Sequence, residues 1–324
     1  MARKLKGKSS SKGLKGALLR HQEIEKKTIK LKKREQHELA KGKPTKQPER
    51  QRELQKERGS GFIPFKKDSS VLLVGEGDFS FAKSIIEEGY IAPEKLVVTS
   101  YDSGVKELQL KYPNSFDENY NFLKENNVTV LFGVDATNLI KTMKITKKTP
   151  WHKVAGSQWA STKLEFIVFN FPHTGRGIKD QDRNIFEHQQ LMHKYFASCK
   201  QLFQLVNNNQ QGKASTESMG GYLTNSDANV DDKGFGKVCL SLFTGEPYDP
   251  WQIKILAKDN GWKVQKSGKF DWNKFPAYRH RRTNNEMTTT KPAGQRDARM
   301  YVFEMFNKRK HSKKPLKGDD SDSD

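Results

Sequence analysis

The sequence predicts an α/β fold built on a mainly parallel seven-stranded sheet, covered on both faces and ending in an antiparallel strand. Two observations carry this reading. Short apolar, β-branched runs alternate with helix-like stretches between residues 62 and 306, and crossover helices are what parallel strands need. The last two runs have no helix between them, so they pair antiparallel.

The first strand lies in "SSVLLVGEG" and is followed by a helix in "SFAKSIIEEG", which Gly89 closes. "KLVVTSYDS" supplies the second strand, followed by a helix from Gly104 that Pro113 terminates. "NVTVLFGVDAT" and "KLEFIVFNFPHTG" supply the third and fourth. The strongest helical pattern runs from Asp182 to Val206, where Ile185, Met192, Phe196, Cys199, Phe203 and Val206 share one face. "GKVCLSLF" is the fifth strand, Pro250–Asn260 a short helix, "GWKVQKSGKF" the sixth strand and "ARMYVFEMF" the seventh.

Two stretches break the rhythm. Residues 207–236 are polar and rich in Gly, Ser and Asn, which reads as an insertion without chemistry. Residues 141–163 interleave lysines with Trp151 and Trp159. Such a mixture suits stacking on bases between phosphate contacts; a loop whose tryptophans dock on the domain is the equal alternative.

Charge is spread unevenly. The chain carries +21, of which residues 1–67 hold 22 Lys/Arg against 7 Asp/Glu, a net of +15, leaving +6 for the other 257 residues. Residues 1–61 therefore form a basic extension, disordered or helical over Ala17–Ala40. A domain occupies 62–306, and a charged tail occupies 307–324. Lys and Arg that meet phosphates release condensed counterions, so nucleic acid is the expected partner of the extension. "KRKHSKK" (308–314) also suits a nuclear address. The basic N-terminus lacks an apolar core, which argues against a secretory signal, and no apolar run is long enough to span a membrane. Cys199 and Cys239 read as small core residues rather than a disulfide or metal framework.

The turn after the first strand, Gly75-Glu76-Gly77-Asp78-Phe79-Ser80, points to a cofactor. In open parallel sheets ligands bind beyond the strand carboxyl ends, and glycines let a ligand approach the backbone. A dinucleotide would want a third glycine where Ser80 stands. Glu76 and Asp78 would also repel its pyrophosphate by several kcal/mol at an effective dielectric of about 20. S-adenosylmethionine carries a sulfonium and an ammonium instead, and an acidic glycine turn complements both. Asp102, ending the second strand, suits the ribose hydroxyls, although NAD sites share that feature and a helix N-cap is a further reading. Asp135, after the third strand, is placed for the adenine amino group.

The fourth strand ends in Asn170-Phe171-Pro172-His173. This resembles the Asn-Pro-Pro-aromatic motif of enzymes that methylate nitrogen, with Phe171 where that motif has its first proline. The likeness implies that the Asn170 oxygen and a main-chain carbonyl hold the target nitrogen. The loop has no cysteine, so a covalent pyrimidine-C5 route lacks its nucleophile. The alternative is a strand cap at Asn170 and a satisfied loop histidine at His173.

Taken together, "VLLVGEGDFSFA", "TSYDS", "GVDAT", "FNFPHTG" and "YRHRRT" (278–283) resemble the eukaryotic large-subunit ribosomal RNA uridine-N3 methyltransferases over roughly residues 66–306. The resemblance implies a Rossmann-like S-adenosylmethionine-dependent fold, uridine in large-subunit (25S) rRNA or a pre-ribosomal particle as substrate, and a nuclear, nucleolar location. It implies cofactor contacts from Gly75, Glu76, Gly77, Asp78, Phe79, Asp102, Asp135 and Asn170. RNA contacts are implied for Phe171, Pro172, Arg279, His280, Arg281 and Arg282. The uridine imide must lose a proton before N3 attacks; His173 is the expected base, Asp78 the second candidate, and Asn170 positions the target. Phe171 or Phe79 would stack on the extruded base. A catalytically silent assembly factor on the same sheet is the competing function.

Overall fold

The computed structural model describes residues 28–29, 61–211, 234–286 and 292–306. Most of the basic extension, the tail after Phe306 and the core of the polar insertion (212–233) lie outside the described residues; the sheet lies within the unit Gln55–Asp324.

Seven strands form one sheet in the order β3-β2-β1-β4-β5-β7-β6. They are β1 (Val71–Val74), β2 (Leu96–Thr99), β3 (Thr129–Leu131), β4 (Phe166–Asn170), β5 (Lys237–Phe243), β6 (Trp262–Lys269) and β7 (Ala298–Met305). The first five pair parallel, and β7 runs antiparallel to both β5 and β6. The order reverses between β1 and β4, the crevice in which such sheets bind ligands. The expected Rossmann-like layout is present, including its antiparallel last strand.

Period-2 alternation explains the two-sided burial. Leu72 and Val74 point into one apolar layer while Val71 and Leu73 point into the other. The first layer is closed by the long helix, which buries Met192, Phe196, Cys199 and Phe203 as the spacing predicts. The second is closed by α1 (Ser80–Glu87), α2 (Val105–Lys111) and α3 (Phe116–Glu125). Each fully buried Leu, Val or Phe contributes about 1.5–3 kcal/mol. The remaining helices are α4 (Leu139–Thr142), α5 (Trp151–Ala155), α6 (Gln181–Gln211) and α7 (Ile253–Asp259).

The structure departs from the sequence reading in two places and decides a third that the sequence leaves open. Pro113 ends α2 as expected, but the chain then starts a second helix, α3, before β3. The long helix α6 runs on into the stretch read as an insertion. Its Asn207 is buried, accepts from the Leu164 N–H at 2.9 Å and donates to the carbonyls of Leu164 (2.9 Å) and Gly234 (2.6 Å). A polar residue here satisfies the open backbone at the start of β4. Trp151 and Trp159, finally, meet edge to face in the core with centroids 5.4 Å apart. Docking, the second of the two readings, is what that loop does. Both cysteines are free and buried, and burial pushes their thiols up, which makes them inert.

Candidate active site

A cavity of about 620 Å³ opens at the carboxyl ends of β1, β2 and β4 and beyond β3. Of the residues singled out from sequence, Gly75, Glu76, Gly77, Asp78, Asp102, Asp135, Asn170, Phe171, His173, Arg279, His280 and Arg281 all line it. Five distant stretches of chain converge there.

Gly75 has φ +71°, and a side chain on it would strike the Phe169 ring, with a Cβ 2.5 Å away. Only glycine fits that turn. Glu76 is buried, and its carboxylate takes the Ala82 N–H at the open end of α1. Burial first, and the neighbouring Asp78 second, push its carboxyl up to about 8. Asp78 is buried too; it accepts from the Ser80 N–H (3.1 Å), the Ser80 hydroxyl (2.6 Å) and the Ser115 hydroxyl (3.0 Å), with Arg281 Nε at 3.8 Å. Burial raises its pKa, and these partners oppose the rise. Bonds on both oxygens make Asp78 an organiser of the turn and leave little of it for the role of base.

Asp102 is paired with Lys111, which also meets Glu107 at 3.0 Å. Its side chain caps nothing: the N-cap of α2 is Gly104, with no side-chain cap. The cap reading therefore falls away, and the carboxylate stands in the cavity wall behind a lysine. Asp135 accepts from both the N–H and hydroxyl of Thr137 at 2.8 Å, tying the turn after β3.

Phe79 and Phe171 both take left-handed backbone, φ +62° and +47°. Such strain costs of order 1–3 kcal/mol in a non-glycine residue and gathers at functional turns. For Phe79 the turn drives the ring away from the cavity into the core, 5.5 Å from Phe116, so the ring is outside the cavity lining and not placed to stack on a base. Phe171 stays in the wall, but Trp272 already stacks on it (5.4 Å, 11°), with Phe243 at 4.6 Å. Pro172 is buried and Arg282 exposed, and both lie outside the lining; the Arg282 carbonyl accepts from the Tyr112 hydroxyl at 3.0 Å.

The histidines are the largest surprise. His173 Nδ1 accepts the Gly175 N–H at 2.9 Å, so the neutral ring carries its proton on Nε2. The ring is exposed at its outer edge, but desolvation against the wall, helped by His188, still lowers its pKa to about 4. Neutral and with Nε2 protonated, His173 is a hydrogen-bond donor and not the expected base. His280 is also held near 4, by burial first and by Arg296 and His173 second.

Residues 278–286 cross the cavity as a strap. Arg279 N–H donates to the Ser80 hydroxyl (3.1 Å), and Tyr112 Oη reaches the carbonyls of Arg282 (3.0 Å) and Thr283 (3.1 Å). Asn114 grips Glu286 at 2.8 and 2.9 Å, and Asn284 donates to the Gly175 carbonyl at 2.9 Å. Ser80, where a dinucleotide turn would have glycine, is thus a strap anchor. Tyr112, Lys111 and Tyr278 also line the site and were not singled out. Tyr278 opens the quoted "YRHRRT", and Tyr112 precedes Pro113, but neither position announces a site.

The family model BMT5-like, described as rRNA (uridine-N3-)-methyltransferase BTM5-like, matches residues 72–282. The chain belongs to this family. The Saccharomyces cerevisiae 25S rRNA (uridine(2634)-N(3))-methyltransferase is 48% identical over 337 aligned residues, spanning 100% of both chains. An uncharacterised Arabidopsis thaliana protein is 27% identical over 211 residues, covering 64% of this chain and 79% of its own. Among solved structures, a TehB-like methyltransferase from Corynebacterium glutamicum superposes with TM-score 0.33 at 9% identity, covering 79% of this chain and 95% of that one. Membership makes the protein a methyltransferase with S-adenosylmethionine as its methyl donor. The cavity fits that cofactor: a glycine turn no side chain can enter, and buried carboxylates at Glu76 and Asp102 for its cations and ribose.

Proposed function

We propose that the protein transfers a methyl group from S-adenosylmethionine to N3 of a uridine in large-subunit rRNA, acting on a pre-ribosomal particle in the nucleolus. One observation carries this beyond family membership: the acidic glycine turn and the Asn170–His173 loop share one cavity, crossed by a strap bearing Arg279 and Arg281. The 48% identity to the yeast enzyme supports uridine N3 as the atom modified.

S-adenosylmethionine supplies an electrophilic methyl on its sulfonium. Gly75 and Gly77 admit it to the backbone, Glu76 and Asp102 meet its positive and hydroxyl groups, and Asp135 sits toward its adenine. The chain must also help N3 of the target shed its imide proton. Neither His173 nor His280 is basic enough at about pKa 4 to take that proton readily. Acidifying the imide by hydrogen bonds to its oxygens is the better-supported route, and His173 Nε2–H is one available donor. The strap arginines and the basic N-terminal extension hold the RNA backbone.

Incubating the protein with unmethylated large-subunit rRNA transcribed in vitro, then measuring nucleosides by mass spectrometry, tests the proposal. N3-methyluridine is expected. Methylated cytidine or adenosine in its place would overturn it, and no methylation despite cofactor binding would favour the silent assembly factor.

A further inference from the structure

Asn170 is the residue whose polarity matters most. Ser241 lies directly across from it on the neighbouring parallel strand, in register. Ser241 is fully buried and donates its hydroxyl hydrogen to Asn170 Oδ1 at 2.7 Å. Its backbone carbonyl accepts the Phe171 N–H at 2.8 Å, which holds the strained residue after Asn170 in place. Asn170 Nδ2 is enclosed and has no hydrogen-bond partner among the described residues. A buried donor left unmet is costly, so this one asks for an acceptor.

The amide can sit only two ways. With Oδ1 taken by Ser241, the unmet end is an N–H, which suits a carbonyl oxygen. Reversed, Nδ2 would donate to the Ser241 oxygen, and the buried Ser241 hydroxyl hydrogen would lose the acceptor it has. The unmet end would then be an oxygen, which suits an exocyclic amine. Uracil flanks N3 with two carbonyls, and on losing its proton it spreads the negative charge onto both oxygens. Cytosine keeps the O2 carbonyl but puts an amine where uracil has O4. Adenine presents an amine and no carbonyl, so a donor at the O4 side rejects both. The expected arrangement, an Asn oxygen gripping the target nitrogen, is therefore turned round in this chain.

We propose that Ser241 is a specificity-determining positioning residue: it fixes the Asn170 amide so that Nδ2–H donates to an imide oxygen of the target, stabilising the ionised base and selecting imide-bearing over amine-bearing bases. This rests on the uridine reading above and extends it to how the base is chosen and activated. Asn170 acts here as an oxyanion donor, a role in which losing one contact costs about 10²–10³ in rate. Ser241 works through Asn170, so its loss costs less.

The test compares wild type, Ser241→Ala and Asn170→Asp on in vitro rRNA transcripts made with uridine or with 5-fluorouridine, whose imide ionises more easily. Cofactor affinity is measured alongside by calorimetry. Ser241→Ala is expected to slow methylation about tenfold or more on uridine RNA with cofactor affinity retained, and 5-fluorouridine RNA is expected to recover much of the loss. Asn170→Asp keeps the shape and the Ser241 bond but replaces the donor with a second oxygen, so it is expected to lose more. An unslowed Ser241→Ala enzyme, or a slowed one whose deficit is equal on both RNAs, overturns the inference. Should Ser241→Ala fail to fold by its thermal transition, Asn170→Asp decides: wild-type rate overturns the inference, and a loss eased by 5-fluorouridine supports it. The wild-type product is read in the same experiment. Absence of N3-methyluridine there refutes the uridine reading itself, whereas its presence with indifferent variants refutes only the role of Ser241.

Discussion

The two halves of the cavity are built on different physics. The half under β1–β3 is acidic and made of short local turns: Glu76 and Asp78 buried beside one another, Asp102 and Asp135 each at a strand end. The half under β4 and β5 is aromatic and assembled over long range, with Phe171, Trp272, Tyr278 and His280 meeting from stretches about a hundred residues apart. The first half suits a cation that every member of the reaction class must hold. The second suits a flat base and the removal of its proton. Variants should therefore separate into those that change cofactor binding and those that change rate.

The sharpest separation should come from Gly75. Its φ of +71° and the Phe169 ring 2.5 Å from any Cβ leave no relaxed state for a side chain. Gly75→Arg is expected to abolish cofactor binding in calorimetry and to lower the unfolding midpoint as well. Full-affinity binding by this variant would show that the turn does not hold the cofactor.

A second contrast is read with pH. Burial lifts the Glu76 carboxyl from 4.5 to about 8, so the folded protein holds a proton there that the unfolded chain has released. Stability therefore falls as pH rises from about 4.5 toward 8, and the penalty is absent below that window. A bound cation favours the carboxylate and expels the proton. Cofactor affinity should rise by up to about tenfold per pH unit between pH 6 and 8 and then level off. Glu76→Gln should flatten that slope; a slope unchanged in the variant would assign the proton to another group.

These two halves also mark what the sequence could disclose. Gly75, Asp102 and Asp135 were legible because each sits within four residues of the carboxyl end of a strand, and the parallel sheet brings strand ends together. Phe79 was misplaced because a left-handed backbone turned its ring inward, which no residue type announces. The helix α3 was hidden by Pro113, which punctuates a chain without saying whether a helix resumes. The tautomer of His173 depends on a single N–H from Gly175, and the polarity of Asn170 on a serine 71 residues away. Hydrogen bonds, local in the first case and long-range in the second, decide such chemistry, and residue type and spacing do not encode them.

His173 gives a third, smaller effect. As a neutral donor with Nε2 protonated, it should contribute about tenfold to rate, below the roughly 10²–10³ of a dedicated oxyanion donor. His173→Ala should lose that factor evenly from pH 6 to pH 9, with cofactor affinity intact. A loss that shrank at high pH, where the imide ionises unaided, would restore His173 as the base.

The smallest expected effect tests how the strap joins the two halves. Tyr112 Oη holds the carbonyls of Arg282 and Thr283, and burial with the nearby carboxylates keeps that hydroxyl protonated. Tyr112→Phe removes the tether at a cost of roughly 0.5–1.5 kcal/mol. The same oxygen lies 2.9 Å from where a Cβ on Gly77 would stand. Gly77→Ala alone must therefore push the Tyr112 hydroxyl off the strap, whereas in the Tyr112→Phe background that closest contact is gone and only ring carbons at 3.1 and 3.4 Å remain to give way. The double variant should be less destabilised than the sum of the singles, by about 0.5 kcal/mol or more in a double-mutant cycle on chemical denaturation. Strict additivity would mean that glycine turn and strap are independent, and that the cofactor half does not sense whether the strap is in place.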